Sequence, residues 1–432
     1  MSARPRGGAC LLLVLLTLFC LAPRTAEAAS TAPGYQARAE QLVRILAKDG
    51  GEDQFFSRVF LDAVPIDRWR ALAADLRRQH GAPTGLGSVR ADGPTAGQIE
   101  VRYERATVGF TLVVAPTPPG RVIGLRVVGA KIAGDSFDKL MRDVTALPGN
   151  SACSVARLDD RGPVPLHSHR PEARMATGST FKLYILAELA RAVGAAERHW
   201  DDVAPLTARS FSGRLATWPH RAPMTLHSLA TTMIAESDNS AADTLLALLG
   251  RARVDAMTAQ TGHAAPEATL PVLSTAEAFA LKMPTNADLR RRYLAADLTE
   301  RRALLADNAK RLSAAAIDVG SVAEKPTEID TIEWFASARD SIALLDWLRR
   351  SGGEALPIMA VNPGVAPADA KRWRYLGYKG GSEPGVIAMN FLAQAKDGTW
   401  FAVSGAWNNP AARVDESKFV ALMTRALNLL AP

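Results

Sequence analysis

The chain has 432 residues, 48% of them hydrophobic and 22% charged, which supplies a sizeable core and lacks the low hydrophobicity and high charge of a disordered chain. Its 51 basic and 44 acidic residues give a net charge of +7, spread without a Lys/Arg block, and this speaks against nucleic-acid binding. The three cysteines, two of them within the first twenty residues, cannot furnish a disulfide scaffold or a structural zinc site.

The N-terminus reads as an export signal. Arg4 and Arg6 precede an apolar run from Ala9 to Ala22 that is short for a bilayer span, and Ala26-Glu27-Ala28 follows as an A-x-A cleavage site. Loss of residues 1–28 removes three arginines and one glutamate, lowering the net charge from +7 to +5, and leaves Cys153 as the only thiol. Phe19 stands where a lipid-attachment signal at Cys20 would need a small residue. A periplasmic or secreted protein without stable membrane insertion is expected.

Residues 29–135 read as a small α+β domain. Helical spacing appears in Ala39, Leu42, Val43 and Leu46, and again in Trp69, Leu72, Ala73 and Leu76. Three alternating stretches follow, through Ile99 to Tyr103, Phe110 to Val114 and Val122 to Val128, and Pro116, Pro118, Pro119 and Gly120 punctuate the last two as a turn. Helices followed by a curved antiparallel sheet is an order that resembles nuclear-transport-factor-2-like and steroid-isomerase-like domains. Asp62, Asp67, Arg102 and Tyr103 are its available polar residues and read as a solvated face, so the domain is expected to bind or dock rather than catalyse.

A second unit begins at Ser136, which caps a helix carrying Phe137, Leu140, Met141 and Val144; Pro148-Gly149-Asn150 ends it. Ser151–Leu158 reads as a strand and Arg161-Gly162-Pro163 as a turn. His167-Ser168-His169 lacks a third ligand at zinc spacing and reads as a polar loop, and no metal or cofactor is expected. Cys153 reads as a buried structural thiol.

The chemistry concentrates in three places. Met175-Ala176-Thr177-Gly178-Ser179-Thr180-Phe181-Lys182 opens a helix continuing through Leu183, Ile185, Leu186 and Leu189, and the spacing of three sets Lys182 one turn beyond Ser179 on the same face. A serine hydroxyl becomes a nucleophile when a base takes its proton, and a buried lysine of lowered pKa can do so. The apolar-faced helix Thr225–Ile234 leads into Ser237-Asp238-Asn239, and Tyr378-Lys379-Gly380-Gly381-Ser382 precedes an alternating strand through Val386, Ala388, Asn390 and Leu392. S-x-x-K, S-D-N and K-[TS]-G in this order are the motifs of class A β-lactamases and penicillin-binding proteins.

Residues 136–432 resemble that superfamily beyond the motifs, in MATGSTFKLYIL, in MIAESDNSAADTLLALLG, in the helix start Phe335-Ala336-Ser337-Ala338-Arg339-Asp340 and in YKGGSEPGV. With the first domain, the whole chain resembles the two-domain β-lactamase-like proteins of clavulanic acid gene clusters. The resemblance implies an α+β, D,D-transpeptidase-like fold with helices packed on an antiparallel sheet. It implies Ser179 as nucleophile, Lys182 as its base, Ser237 as proton relay and Lys379 as positive charge. Asn239, Gly381 and Ser382 would contact substrate, the N–H groups of Ser179 and Ser382 would form an oxyanion hole, and Asp238 would buttress its loop. The expected substrate is a β-lactam or a related ester, with weak β-lactam turnover. The alternative is a penicillin-binding or sensing envelope protein without efficient turnover.

Two departures stand out. Gly380 lacks the hydroxyl that the usual Thr or Ser offers a substrate carboxylate, for which Ser382 is the available substitute. No E-x-x-x-N loop of the kind that positions deacylating water occurs between Asn239 and Ser337, and that interval is long. Glu277 is the first candidate to replace that glutamate, but Ser274-Thr275-Ala276-Glu277 fits a capping box, which is the favoured reading; Glu328 and Glu333 are weaker candidates and read as solvated or strand-flanking.

Overall fold

A computed structural model describes residues 33–431; the export signal read at residues 1–28 lies outside them. Two compact units are present, one running to Glu104 and including Gly109–Val127, the other formed by Arg105–Val108 and Val128–Pro432. Among the described residues no helix is long and apolar enough to cross a membrane.

The first unit opens with helix α1 (Pro33–Ala47), two short helices α2 (Glu52–Phe55) and α3 (Arg58–Ala63), and α4 (Ile66–His80). Burial repeats with the helical period, at Tyr35, Ala39, Leu42 and Leu46 and at Trp69, Ala73, Leu76 and His80. Strands β1 (Pro83–Ala91), β2 (Ala96–Tyr103), β3 (Ala106–Val114) and β4 (Val122–Ile132) form a sheet in that order. Strand β3 alternates strictly between buried and half-buried residues, as expected of a sheet with one covered face. Strand β1 has no counterpart in the sequence reading, because Pro83, Gly85 and Gly87 dilute its alternation and two register shifts interrupt its pairing with β2.

The second unit is built on a five-stranded antiparallel sheet of order β11-β12-β13-β5-β6, comprising β5 (Asn150–Asp159), β6 (Gly162–His169), β11 (Tyr375–Glu383), β12 (Val386–Gln394) and β13 (Trp400–Asn408). One face packs on α5 (Phe137–Thr145) and α17 (Glu416–Leu430) through Leu140, Val144, Phe391, Val403, Phe419 and Met423. The other packs on a helical layer that includes α6 (Lys182–Gly194), α7 (Leu226–Ala235), α8 (Asn239–Leu249), α9 (Arg251–Gln260) and α14 (Ala338–Ser351). Two small ladders, β7 (Met175–Ala176) with β10 (Phe335–Ala336) and β8 (Val203–Pro205) with β9 (Pro223–Thr225), complete the strands. Between α9 and β10 lies a long helical insertion, α10 (Thr275–Lys282), α11 (Ala287–Ala295), α12 (Leu298–Asp307) and α13 (Val319–Glu324). Short helices α15 (Ala355–Ala360) and α16 (Pro367–Ala370) precede β11.

Tyr378–Ser382 lie within β11 and precede β12, as expected. Two sequence expectations change here. Strand β12 is buried along both faces, because Ile387, Met389 and Phe391 enter the α5–α17 side while Ala388, Asn390 and Leu392 face the helical layer. His167 and His169 stand on β6, not in a loop: the His167 ring stacks on Phe137, and His169 reaches the Ser151 and Thr145 hydroxyls. Cys153 is fully buried, and burial pushes its thiol up to about 12.

Candidate active site

The turn carrying Ser179 is clamped from two sides. Asn408 accepts from Ala176 N at 2.8 Å and donates back to Ala176 O at 3.0 Å, while β7 pairs with β10. Thr177 donates to Trp334 O through both its backbone N–H (3.0 Å) and its hydroxyl (2.8 Å), and Phe181 stacks on the Trp334 indole at 4.1 Å. Gly178 holds φ +50°, a left-handed conformation that glycine adopts without steric cost, before the 3-10 turn Gly178–Phe181 enters α6. Ser179 is half-buried and Lys182, on the first turn of α6, is fully buried.

The loop before α8 comes to meet them. Asp238 caps that helix, its Oδ1 accepting from Ala241 N at 2.9 Å and its Oδ2 from Leu215 N at 2.8 Å. The capping arrangement leaves Ser237 at φ +57°, a strained position for a residue with a Cβ. Lys182 Nζ donates to Ser237 O (2.6 Å), Asn239 Oδ1 (2.7 Å) and Ser237 Oγ (3.3 Å). Asn239 Nδ2 donates to the exposed Ser212 hydroxyl at 2.8 Å, a neighbour that no motif announced.

Strand β11 closes the site. Lys379 Nζ donates to Ser237 Oγ at 2.9 Å and to Gly380 O, so both lysines converge on one hydroxyl. Burial depresses both amines. Lys182 falls to about 7 despite Asp243 and Asp238, and Lys379 falls well below its ordinary value through burial first and the neighbouring Lys182 second. A Cβ on Gly381 would overlap Ser179 N and Thr177 O, and a Cβ on Gly178 would lie 3.4 Å from Ser382 N. Only glycine lets the strand run this close to the turn, and the backbones of Ser179 and Ser382 are neighbours as a result. Ser382 itself is exposed, and the space that a side chain at 380 would take is filled by the Tyr378 hydroxyl.

The carboxylates separate sharply. Glu277 forms the capping box with Ser274 (2.8 and 3.1 Å) and takes both its oxygens to Arg251 at 2.7 and 2.8 Å. Glu328 pairs with Arg290 at 3.1 Å. Glu333 departs from the sequence reading: it flanks β10, but its side chain is 0% exposed rather than solvated. Its Oε1 accepts from Lys282 Nζ at 2.8 Å and its Oε2 from Gly178 N (3.3 Å) and Trp334 N (3.1 Å). Lys282 also pairs with Glu383 on β11, and the two glutamates are hydrogen-bonded to each other. A cavity of about 220 Å³ is lined by Ser179, Asn239, Phe279, Glu333, Ser382 and Glu383, among others. Among the described residues no group of three or more His, Cys, Asp or Glu side chains is placed to hold a metal ion.

Residues 138–318 match the model of the beta-lactamase enzyme family, a span that holds the serine–lysine and serine–aspartate–asparagine motifs and stops short of Lys379. No curated protein sequence matches the chain. Among solved structures, a β-lactamase from Sphaerobacter thermophilus is 18% identical over 68% of this chain and 95% of its own, with a TM-score of 0.45. A β-lactamase from Chitinophaga pinensis is 14% identical over 68% and 97%, with a TM-score of 0.46, and the penicillin-binding protein PBP-A 12% over 68% and 94%, with a TM-score of 0.45.

Proposed function

We propose that the chain is a member of the serine β-lactamase-like superfamily, whose family model matches residues 138–318, and that residues 136–432 form a serine hydrolase domain that opens β-lactams or related esters through an acyl-enzyme on Ser179. The observation that carries this reading is the convergence of Lys182, three residues beyond Ser179, and Lys379 on the Ser237 hydroxyl. A neutral Lys182 has two N–H bonds, matched by its two short contacts to Ser237 O and Asn239 Oδ1, and a lone pair left to accept a proton. Lys182 takes the Ser179 proton as Oγ bonds to the substrate carbonyl carbon, and Ser237 passes a proton to the leaving group. The developing oxyanion sits between the N–H groups of Ser179 and Ser382, each worth about 2.7–4 kcal/mol in comparable sites. A substrate carboxylate beside Lys379 restores the charge that burial disfavours. Asn239 holds the acyl amide, and Gly381 keeps the strand edge open to it.

A cavity of about 220 Å³ is smaller than the roughly 300–1,000 Å³ of drug-sized ligand sites and suits a small acyl group. The expected profile is weak β-lactam turnover and faster turnover of simple esters. Export to the periplasm or medium by the segment 1–28 belongs to the same reading. The test is pre-steady-state kinetics on a chromogenic cephalosporin and on p-nitrophenyl acetate. The expected result is a burst and slow steady state with the first and faster turnover of the second. Burst-free, rapid cephalosporin hydrolysis would contradict it, and stoichiometric labelling with no turnover of either compound would indicate a receptor.

A further inference from the structure

We propose that Glu383 and Glu333, held together by Lys282, activate the water that hydrolyses the Ser179 acyl-enzyme, an inference that rests on the acyl-enzyme reading above. The two carboxyls line the same cavity as Ser179. They come from the ends of two separate segments: Glu333 from the end of the insertion, Glu383 from the end of β11. The insertion supplies their lysine as well, from the last residue of α10.

Their hydrogen bonding assigns different roles to the two glutamates. Glu333 is filled, with Lys282 on Oε1 and the N–H groups of Gly178 and Trp334 on Oε2, and its side chain is 0% exposed. Glu383 has Lys282 and Glu333 as its partners among the described residues, keeps 7% of its side-chain surface and has an oxygen lone pair left for a water in the cavity. Two buried carboxyls in hydrogen-bond contact cannot both ionise. Lys282 and the two N–H groups stabilise the negative charge on Glu333, so the shared proton resides on Glu383, whose carboxyl is pushed well up by burial and by Glu333. Packing alone does not call for such a cluster, since apolar side chains of similar volume serve a buried position at least as well as an ion pair.

The water oxygen bonds to the acyl carbon and its proton passes to the unused oxygen lone pair of Glu383, while the proton already on Glu383 moves to Glu333. The carbonyl electrons move onto the oxyanion, then return to re-form the carbonyl as the carbon–Oγ bond breaks. The pair then holds two protons: Glu383 delivers one to Ser179 Oγ as the proton on Glu333 returns to Glu383, and the acid product leaves with the remaining water hydrogen. No oxidant, metal or co-reactant is needed.

Glu383→Gln separates catalysis from structure. A neutral glutamine amide keeps the donor toward Glu333 and the acceptor toward Lys282, and it preserves the charge of the protonated carboxyl, but it cannot accept a proton from water. The experiment follows acetylation of the full chain by p-nitrophenyl acetate with time-resolved intact-mass spectrometry, alongside thermal melting. The expected result is an unchanged acylation rate and melting temperature with acetyl-enzyme decay slowed by about 10² to 10⁴-fold, the range of a lost general base. Decay within threefold of the parent rate would overturn the inference and reduce the cluster to a structural tie between insertion and sheet. If Glu383→Gln melts early, Glu383→Asp provides the control: it keeps an ionisable carboxyl, and deacylation retained in it but lost in Gln supports the proton role. Equal loss in both overturns it. Absence of any acetyl adduct in the parent protein would overturn the acyl-enzyme reading itself and this inference with it.

Discussion

Two groups of buried lysines in the second unit respond to burial in opposite ways. Lys182 and Lys379 meet carbonyl, amide and hydroxyl oxygens, with no carboxylate in hydrogen-bond contact among the described residues, and burial drives both amines down. Lys282 is equally buried, yet Glu333 and Glu383 outweigh the burial and hold it above its ordinary value. The same side chain is thus a base-ready amine in one place and a fixed cation in the other, and what decides it is whether an anion is within hydrogen-bond reach. The first group suits taking a proton from serine. The second suits fixing which of two carboxyls keeps a proton.

The largest effect expected is at Ser179. Ser179→Ala removes the proposed attacking oxygen and should abolish covalent labelling and turnover while the melting temperature holds; residual labelling at another residue would dissociate the lysine pair from the chemistry. Next is the pH profile. With Lys182 near 7, the neutral base is lost as pH falls, so the acylation rate should climb between about pH 6 and 8 and level off above. A limb near the ordinary lysine value would mean that burial does not depress this amine. Lys182→Ala should slow acylation by about 10² to 10⁴-fold.

Lys282→Met probes the opposite case by leaving a buried carboxylate unpaired, with an expected cost of about 3–5 kcal/mol in denaturant unfolding. A loss below about 1 kcal/mol would show that Lys282 is not the counter-charge. Smallest is Glu277→Ala, expected to cost about 0.5–2 kcal/mol as a lost cap while deacylation stays unchanged. Slowed deacylation in this variant, with stability kept, would transfer the water-activating role to Glu277.

The lysine–serine centre was legible because its geometry is local. A spacing of three sets Ser179 and Lys182 on one face, an aspartate before an apolar helix announces the Asp238 cap, and each motif carries its own backbone conformation. The Glu333 cluster was not legible for the opposite reason. Its lysine lies 51 residues before Glu333 and 101 before Glu383, and no local pattern distinguishes a glutamate bound for such a partner from a solvated one. Gly380 is similar: the missing hydroxyl was visible, but its replacement in space by Tyr378 depends on how the Tyr378 ring, packed on Phe391 at 4.9 Å, lies along the strand. In β12, the alternation through Ala388, Asn390 and Leu392 was read from one face. The apolar run Ile387, Met389 and Phe391 already carried the signal for a strand covered on both.

Acylation of Ser179 underlies both proposals, and peptide mapping by mass spectrometry after rapid mixing with benzylpenicillin tests it at the residue itself. The expected result is one penicilloyl adduct per chain, on Ser179, formed faster as pH rises through about 7 and absent from Ser179→Ala. No adduct at any pH, or an adduct that survives Ser179→Ala, would contradict it.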